Sequence, residues 1–169
     1  VGARDGIYVS ATEDSLISRN EVSDQRYGVH YMYSYDNVVE YNTANNNSGG
    51  IALMESHGLT IHGNIARNNE RQGILFRDVQ YTTITDNIVE NNGQGLFFFS
   101  SLDNTIRGNW IAGNQMGAKI WAGTERNVVE GNAFVSNREQ VFYISRDDQE
   151  WGSNYWSDHL GWDQDGDGL

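Results

Sequence analysis

The chain repeats itself every 22 or 23 residues. "GIYVSATEDSLISRNEV" from Gly6 is followed by "GVHYMYSYDNVVEYNTA" from Gly28, "GIALMESHGLTIHGNIA" from Gly50 and "GILFRDVQYTTITDNIV" from Gly73. "GLFFFSSLDNTIRGNWI" from Gly95 and "GAKIWAGTERNVVEGNAF" from Gly117 continue the series. The starts lie 22, 22, 23, 22 and 22 residues apart, and a seventh copy, "QVFYISRDDQEWGSNYW", opens on Gln140 without the glycine. So short a unit cannot bury its own apolar side and must stack on copies of itself. Leucine-rich repeats share the period, but their Leu-x-x-Leu-x-Leu signature is missing. Abundant Gly and Asn, β-branched residues and no proline point to short strands joined by tight corners. The expected fold is all-β: a right-handed parallel β-helix of about seven coils with backbones about 4.8 Å apart, ending in a capping tail.

Each copy carries an asparagine 14 or 15 residues after its start: Asn20, Asn42, Asn64, Asn87, Asn109, Asn132 and Asn154. A second follows five residues later at Asn47, Asn69, Asn92, Asn114 and Asn137. Stacked coils bring equivalent asparagines together, so each amide can bond the next in a ladder. Their expected role is structural.

Strand side chains alternate between faces. The first and third residues after each start are apolar, as in Ile7/Val9, Val29/Tyr31, Ile51/Leu53, Ile74/Phe76 and Leu96/Phe98. They are assigned to the core. The second and fourth then face outward: Tyr8, His30, Ala52, Leu75, Phe97, Lys119 and Phe142, with Ser10, Met32, Met54, Arg77, Phe99, Trp121 and Ile144. Nine of these fourteen are large and apolar, which on an outer face marks a docking surface. Tyr8, Leu75, Phe97, Phe99 and Trp121 are its candidate partner-binding residues. The outward column of the following strand, Ser18, Glu40, His62, Thr85, Arg107, Glu130 and Gly152, is polar.

The same register puts His30 and Met32 on one strand and one face, roughly 7 Å apart. Met54 falls beside Met32 on the next coil, about 5 Å away by backbone. Thioether and imidazole without thiolate suit Cu(I), whereas zinc more often draws Cys or a His/Asp set. His30, Met32 and Met54 are therefore the candidate copper ligands, against the plainer role of adaptable contact residues. His57 and His62 have no other ligand in their columns.

Composition excludes several classes. With 23 acidic against 11 basic residues the net charge is −12, which disfavours nucleic acid and anionic membranes as partners. No run of 18 apolar residues could span a bilayer. Without cysteine there is neither a disulfide nor thiolate chemistry. Polysaccharide-processing β-helices need carboxylates beside a base on an outer face. The outward columns of the first sheet hold no acid, Arg77 and Lys119 stand two coils apart without partners, and Asp147, Asp148 and Glu150 lie in an irregular loop. The expectation is a non-enzyme, with a carbohydrate-binding or carbohydrate-processing β-helix as the alternative. The tail "DQDGDGL" places Asp163, Asp165 and Asp167 at alternate positions like the first half of a calcium loop. A solvated acidic turn is its plain counterpart. Tyr155, Trp156 and Trp162 are expected to cap the solenoid. The opening "VGARDG" reads as the middle of something longer. The expected organisation is β-helix coils over residues 1–150, lacking their amino-terminal members, and an aromatic cap with an acidic tail over residues 151–169.

The segments "RYGVHYMYSYDN", "GIALMES" and "QEWGSNYWSDHLGWDQDGDG" together resemble the NosD family, and the likeness covers nearly the whole chain. The resemblance implies a periplasmic maturation factor of nitrous oxide reductase, the copper enzyme of denitrification. It also implies work beside an ABC transporter, a copper-carrying lipoprotein and the reductase itself. It implies copper binding but no fixed ligand set, and no hydrolysis. The segment that makes the likeness specific is the one holding His30 and Met32.

Overall fold

The computed structural model describes residues 4–146 and 148–158, all in strands, turns and bends with no helix among them. Each coil folds into three short strands, and equivalent strands stack in parallel into three seven-stranded sheets. The first sheet holds Ile7–Ser10, Tyr27–Met32, Gly49–His57, Gln72–Gln80, Gln94–Phe99, Met116–Ile120 and Glu139–Tyr143, in that order. The register follows the repeat, with Ile7 beside Val29, Val29 beside Ile51, Ile51 beside Ile74 and Ile74 beside Leu96. The chain is thus an all-β solenoid of about seven turns.

The core is the sum of these columns. Tyr31, Leu53, Phe76 and Phe98 are buried in sequence, and the rings of Phe76 and Phe98 stack at 4.4 Å and 4°. The second sheet contributes Val39, Ile61, Ile84, Ile106 and Val129, and the third Ala44, Ala66, Val89, Ile111 and Phe134. Truncating a buried phenylalanine typically costs about 3–5 kcal/mol, so each column is a large stabilising element. Trp156 extends the third sheet with Tyr155 and stacks on Phe134 at 4.5 Å. Residue Trp162 and the candidate calcium residues Asp163, Asp165 and Asp167 lie outside the described residues, as does Asp147.

Corners between strands carry the asparagine ladders. Asn87 Nδ2 donates to Ile61 O, Thr85 O and Asn109 Oδ1, while its own Oδ1 accepts from the backbone N and Nδ2 of Asn64. The amide therefore satisfies backbone groups that the corner strips of ladder partners. The residue before each ladder asparagine turns the corner with positive φ, as at Tyr41 (52°), Gly63 (61°), Asp86 (56°) and Gly108 (68°). A third ladder, Asn104 to Asn127 to Gln149, lines the corner after the first sheet. Sequence reading missed it, because Leu59 and Thr82 interrupt the column that begins at Asn37.

Strict alternation fails at the glycine that opens each of the first six copies, Gly28 among them. A Cβ on Gly28 would meet Ala44 Cβ at 2.7 Å and Gly50 O at 2.9 Å, so this position faces inward, as does Val29 next to it. The preceding residue, Tyr27, is thereby turned onto the outer face, beside His30.

Candidate functional site

The register sets Tyr8 beside His30 and Ser10 beside Met32, then Met32 beside Met54 and Met54 beside Arg77. The neighbouring Tyr31 and Leu53 are fully buried beneath the sheet while Met32 and Met54 are half-buried. Both methionines thus lie on the outer side of adjacent coils.

His30 is not the open surface residue that alternation predicts. It is only 4% exposed. Tyr8 and Tyr27 flank its ring, each with centroids 5.1 Å away. Its Nδ1 lies 3.1 Å from Asp5 Oδ2 and 3.3 Å from Arg26 NH2. A carboxylate only accepts hydrogen bonds. The tautomer that lets Nδ1 donate to this carboxylate is the one with the proton on Nδ1. Nε2 then holds the lone pair, and it is buried with no hydrogen-bond partner. A carboxylate holding Nδ1–H so that Nε2 is free is the usual support of a metal-binding imidazole.

Asp5 can play that part because it is held ionised. Its burial works to raise its pKa, but hydrogen bonds and charge from Arg26 and His30 outweigh this and leave the carboxyl below its ordinary value. Arg26 grips it with both ends of its fork, Nε to Oδ1 at 2.7 Å and NH2 to Oδ2 at 2.5 Å. The same guanidinium lies 4.8 Å over the Tyr27 ring, and Asp5 in turn pushes its pKa further up. Tyr8 completes the enclosure, its hydroxyl donating to Met32 Sδ at 3.6 Å.

These groups border a cleft of about 520 Å³. It adjoins a second cleft of about 260 Å³, the two sharing Tyr27, Met54 and Arg77. Leu75, Phe97 and Phe99 line the second cleft. Of the candidate partner-binding residues, Tyr8 is 55% exposed, Leu75 only 8%, and Phe97, Phe99 and Trp121 are half-buried. Trp121 borders neither cleft. The apolar stripe is thus partly covered by its own neighbours. Lys119 has partners after all: its ammonium sits over Trp121 at 4.4 Å, Phe97 at 5.1 Å and Phe142 at 5.8 Å. Arg77 likewise reaches its neighbour Asp78, at 3.8 Å.

The other described histidines are engaged elsewhere. His57 stacks on Tyr35 at 4.2 Å. On the second sheet, His62 Nε2 meets Tyr41 Oη and Nδ1 meets Thr85 Oγ1, both at 3.0 Å. Among the described residues no group of three or more His, Asp or Glu side chains could hold a metal ion. The soft donors that share a cleft with His30 are the sulfurs of Met32 and Met54.

Sequence reading missed Asp5 and Arg26, which precede the strand columns. A signal existed: the residue two places before each start is Arg4, Arg26, Arg71 or Arg138 in four of the seven copies.

The family model described as "Periplasmic copper-binding protein (NosD)" matches residues 1–161. A "Probable ABC transporter binding protein NosD" from Pseudomonas aeruginosa is 56% identical over 52 residues, and one from Stutzerimonas stutzeri 54%. Each match covers 28% of this chain and 12% of the relative. Among solved structures, a mutant of the periplasmic alginate epimerase AlgG superposes with a TM-score of 0.74 at 17% identity, over 89% of this chain and 47% of that one. The A-module of a mannuronan C-5 epimerase from Azotobacter vinelandii gives 0.57 at 17% identity, over 84% and 54%. At such identities the likeness is one of fold. Among the described residues no helix is long and apolar enough to cross a membrane. The chain belongs to the NosD family of periplasmic copper-binding proteins.

Proposed function

We propose that the chain is a non-enzymatic periplasmic scaffold that docks partner proteins and assists copper delivery to nitrous oxide reductase, beside an ABC transporter. The observation that carries this reading is the buried, unpartnered Nε2 of His30 next to the register-matched pair Met32 and Met54. In this reading copper is cargo. One imidazole and two thioethers select Cu(I) and hold it without thiolate, which leaves it available to a partner with stronger ligands. Asp5 and Arg26 fix the imidazole, and Tyr8 and Tyr27 restrict its movement. The apolar residues around the second cleft supply contact area for the donor or acceptor protein, such as a copper-carrying lipoprotein. A binding role also agrees with the state of Asp5, the single carboxylate lining the two clefts. Held ionised and gripped by Arg26, it is a poor proton donor.

The test is anaerobic Cu(I) titration against a chromophoric chelator, with wild type and Met32→Ala/Met54→Ala compared. Loss of both sulfurs is expected to weaken binding about 100-fold, or about 2.7 kcal/mol. Equal affinity in the two proteins removes the thioethers from the site.

A further inference from the structure

The outer face of the first sheet carries a charge that the rest of the chain does not. Overall, acids outnumber bases 23 to 11. Yet the two clefts that meet at Tyr27, Met54 and Arg77 are lined by four arginines, Arg4, Arg26, Arg71 and Arg77, and by one acid, Asp5. Asp5 is taken up by Arg26. Arg77 has only its chain neighbour Asp78, with both side chains about half exposed. Among the described residues no ion pair is formed by Arg4 or Arg71. Three guanidinium groups therefore face the trough with donors to spare, and Leu75, Phe97 and Phe99 give it an apolar stretch.

We propose that this trough binds an extended acidic segment of a partner protein, one that also carries a large apolar side chain. The inference rests on the docking half of the function above and specifies the chemistry of what docks. A guanidinium fork matches a carboxylate in a bidentate geometry and desolvates more readily than an ammonium. All but one of the chain's 11 basic residues are arginine. The chain as a whole, at a net charge of −12, repels an acidic segment, so the trough is where one can settle, in a register set by the arginines. From Arg4 to Phe99 the trough crosses four coil-to-coil steps, about 19 Å, which matches about six residues of extended peptide. An acidic polysaccharide suits it less well. A sugar acid would meet the same arginines, but the stretch formed by Leu75, Phe97 and Phe99 favours a large apolar side chain.

Fluorescence anisotropy tests this with a labelled peptide of about twelve residues, rich in Glu with a central Met-Phe pair, and its counterpart with Gln for every Glu. The acidic peptide is expected to bind at least about tenfold more tightly than the Gln peptide, with affinity falling as salt rises. Arg71→Ala/Arg77→Ala alters two exposed side chains, so its circular dichroism should match wild type. Its affinity for the acidic peptide should fall about tenfold. Absence of acidic-peptide binding, equal binding of the two peptides, an unaffected double variant, or displacement of the peptide by an oligomannuronate would each overturn the proposal. If Met32→Ala/Met54→Ala leaves Cu(I) affinity unchanged while the peptide still binds, the copper site fails and the acidic-segment site stands.

Discussion

The outer faces of the first and second sheets rest on the same core and the same register, yet they treat their polar groups differently. On the second sheet each group finds a partner one coil away. Ser18 donates to Glu40 at 3.3 Å, His62 is held by Tyr41 and Thr85, and Arg107 pairs with Glu130. That face satisfies itself. On the first sheet His30 keeps an unpartnered buried nitrogen, and two methionines lie in register on neighbouring strands. The solenoid frame tolerates either arrangement, because the stability of a coil comes from its inside. A face with donors and acceptors left over has chemistry to offer to another molecule, whereas a closed one is scaffold.

Breaking the shared frame should give the largest effect and should not distinguish the faces. Asn87→Ala removes an amide that serves backbone groups on two coils and a side chain on a third. A loss of about 3 kcal/mol in urea unfolding is expected. A loss below about 1 kcal/mol would mean that the ladders are decoration.

Asp5→Asn sharpens the comparison at the site itself. It keeps the shape but removes the charge that holds His30 Nδ1–H. Cu(I) affinity should fall about 10-fold or more, and stability should fall as well because the Arg26 fork loses its carboxylate. Nitrogen chemical shifts of His30 in the metal-free protein should report a mixture of tautomers. Retention of a single Nδ1–H tautomer would show that Asp5 does not position the ring.

Tyr31 tests the inside of the same strand. Its hydroxyl is buried without a partner, and burial pushes its pKa up to about 12. The folded state therefore holds this proton more tightly than the unfolded chain. The stabilisation is intact below the unfolded value near 10 and is lost as pH rises toward about 12. Wild type should thus lose up to about 2 kcal/mol more than Tyr31→Phe over that window. At neutral pH the Phe variant should be as stable or slightly more so, since a buried unsatisfied hydroxyl is unfavourable. Equal alkaline profiles would argue that the hydroxyl reaches solvent.

The smallest effect is expected on the closed face. Arg107→Ala loses a single exposed ion pair with Glu130, so stability should change by no more than about 0.5 kcal/mol. Cu(I) and acidic-peptide binding should be unaltered. A change in either would deny that function is confined to the first sheet.

Period, core columns and two of the asparagine ladders were written in the sequence alone. A solenoid has one backbone conformation repeated, so a residue's place in the copy fixes its place in space. That logic was enough to put Met32 beside Met54 and His30 on their face. It could not show that His30 is sealed by tyrosines and held by Asp5, nor that Lys119 rests on three rings. Those contacts depend on side-chain reach across coils and on the inward turn at Gly28, which breaks alternation and brings Tyr27 out. The repeat dictates the backbone, but the outer face is made of residues that do not repeat. Only tertiary packing decides which of them meet.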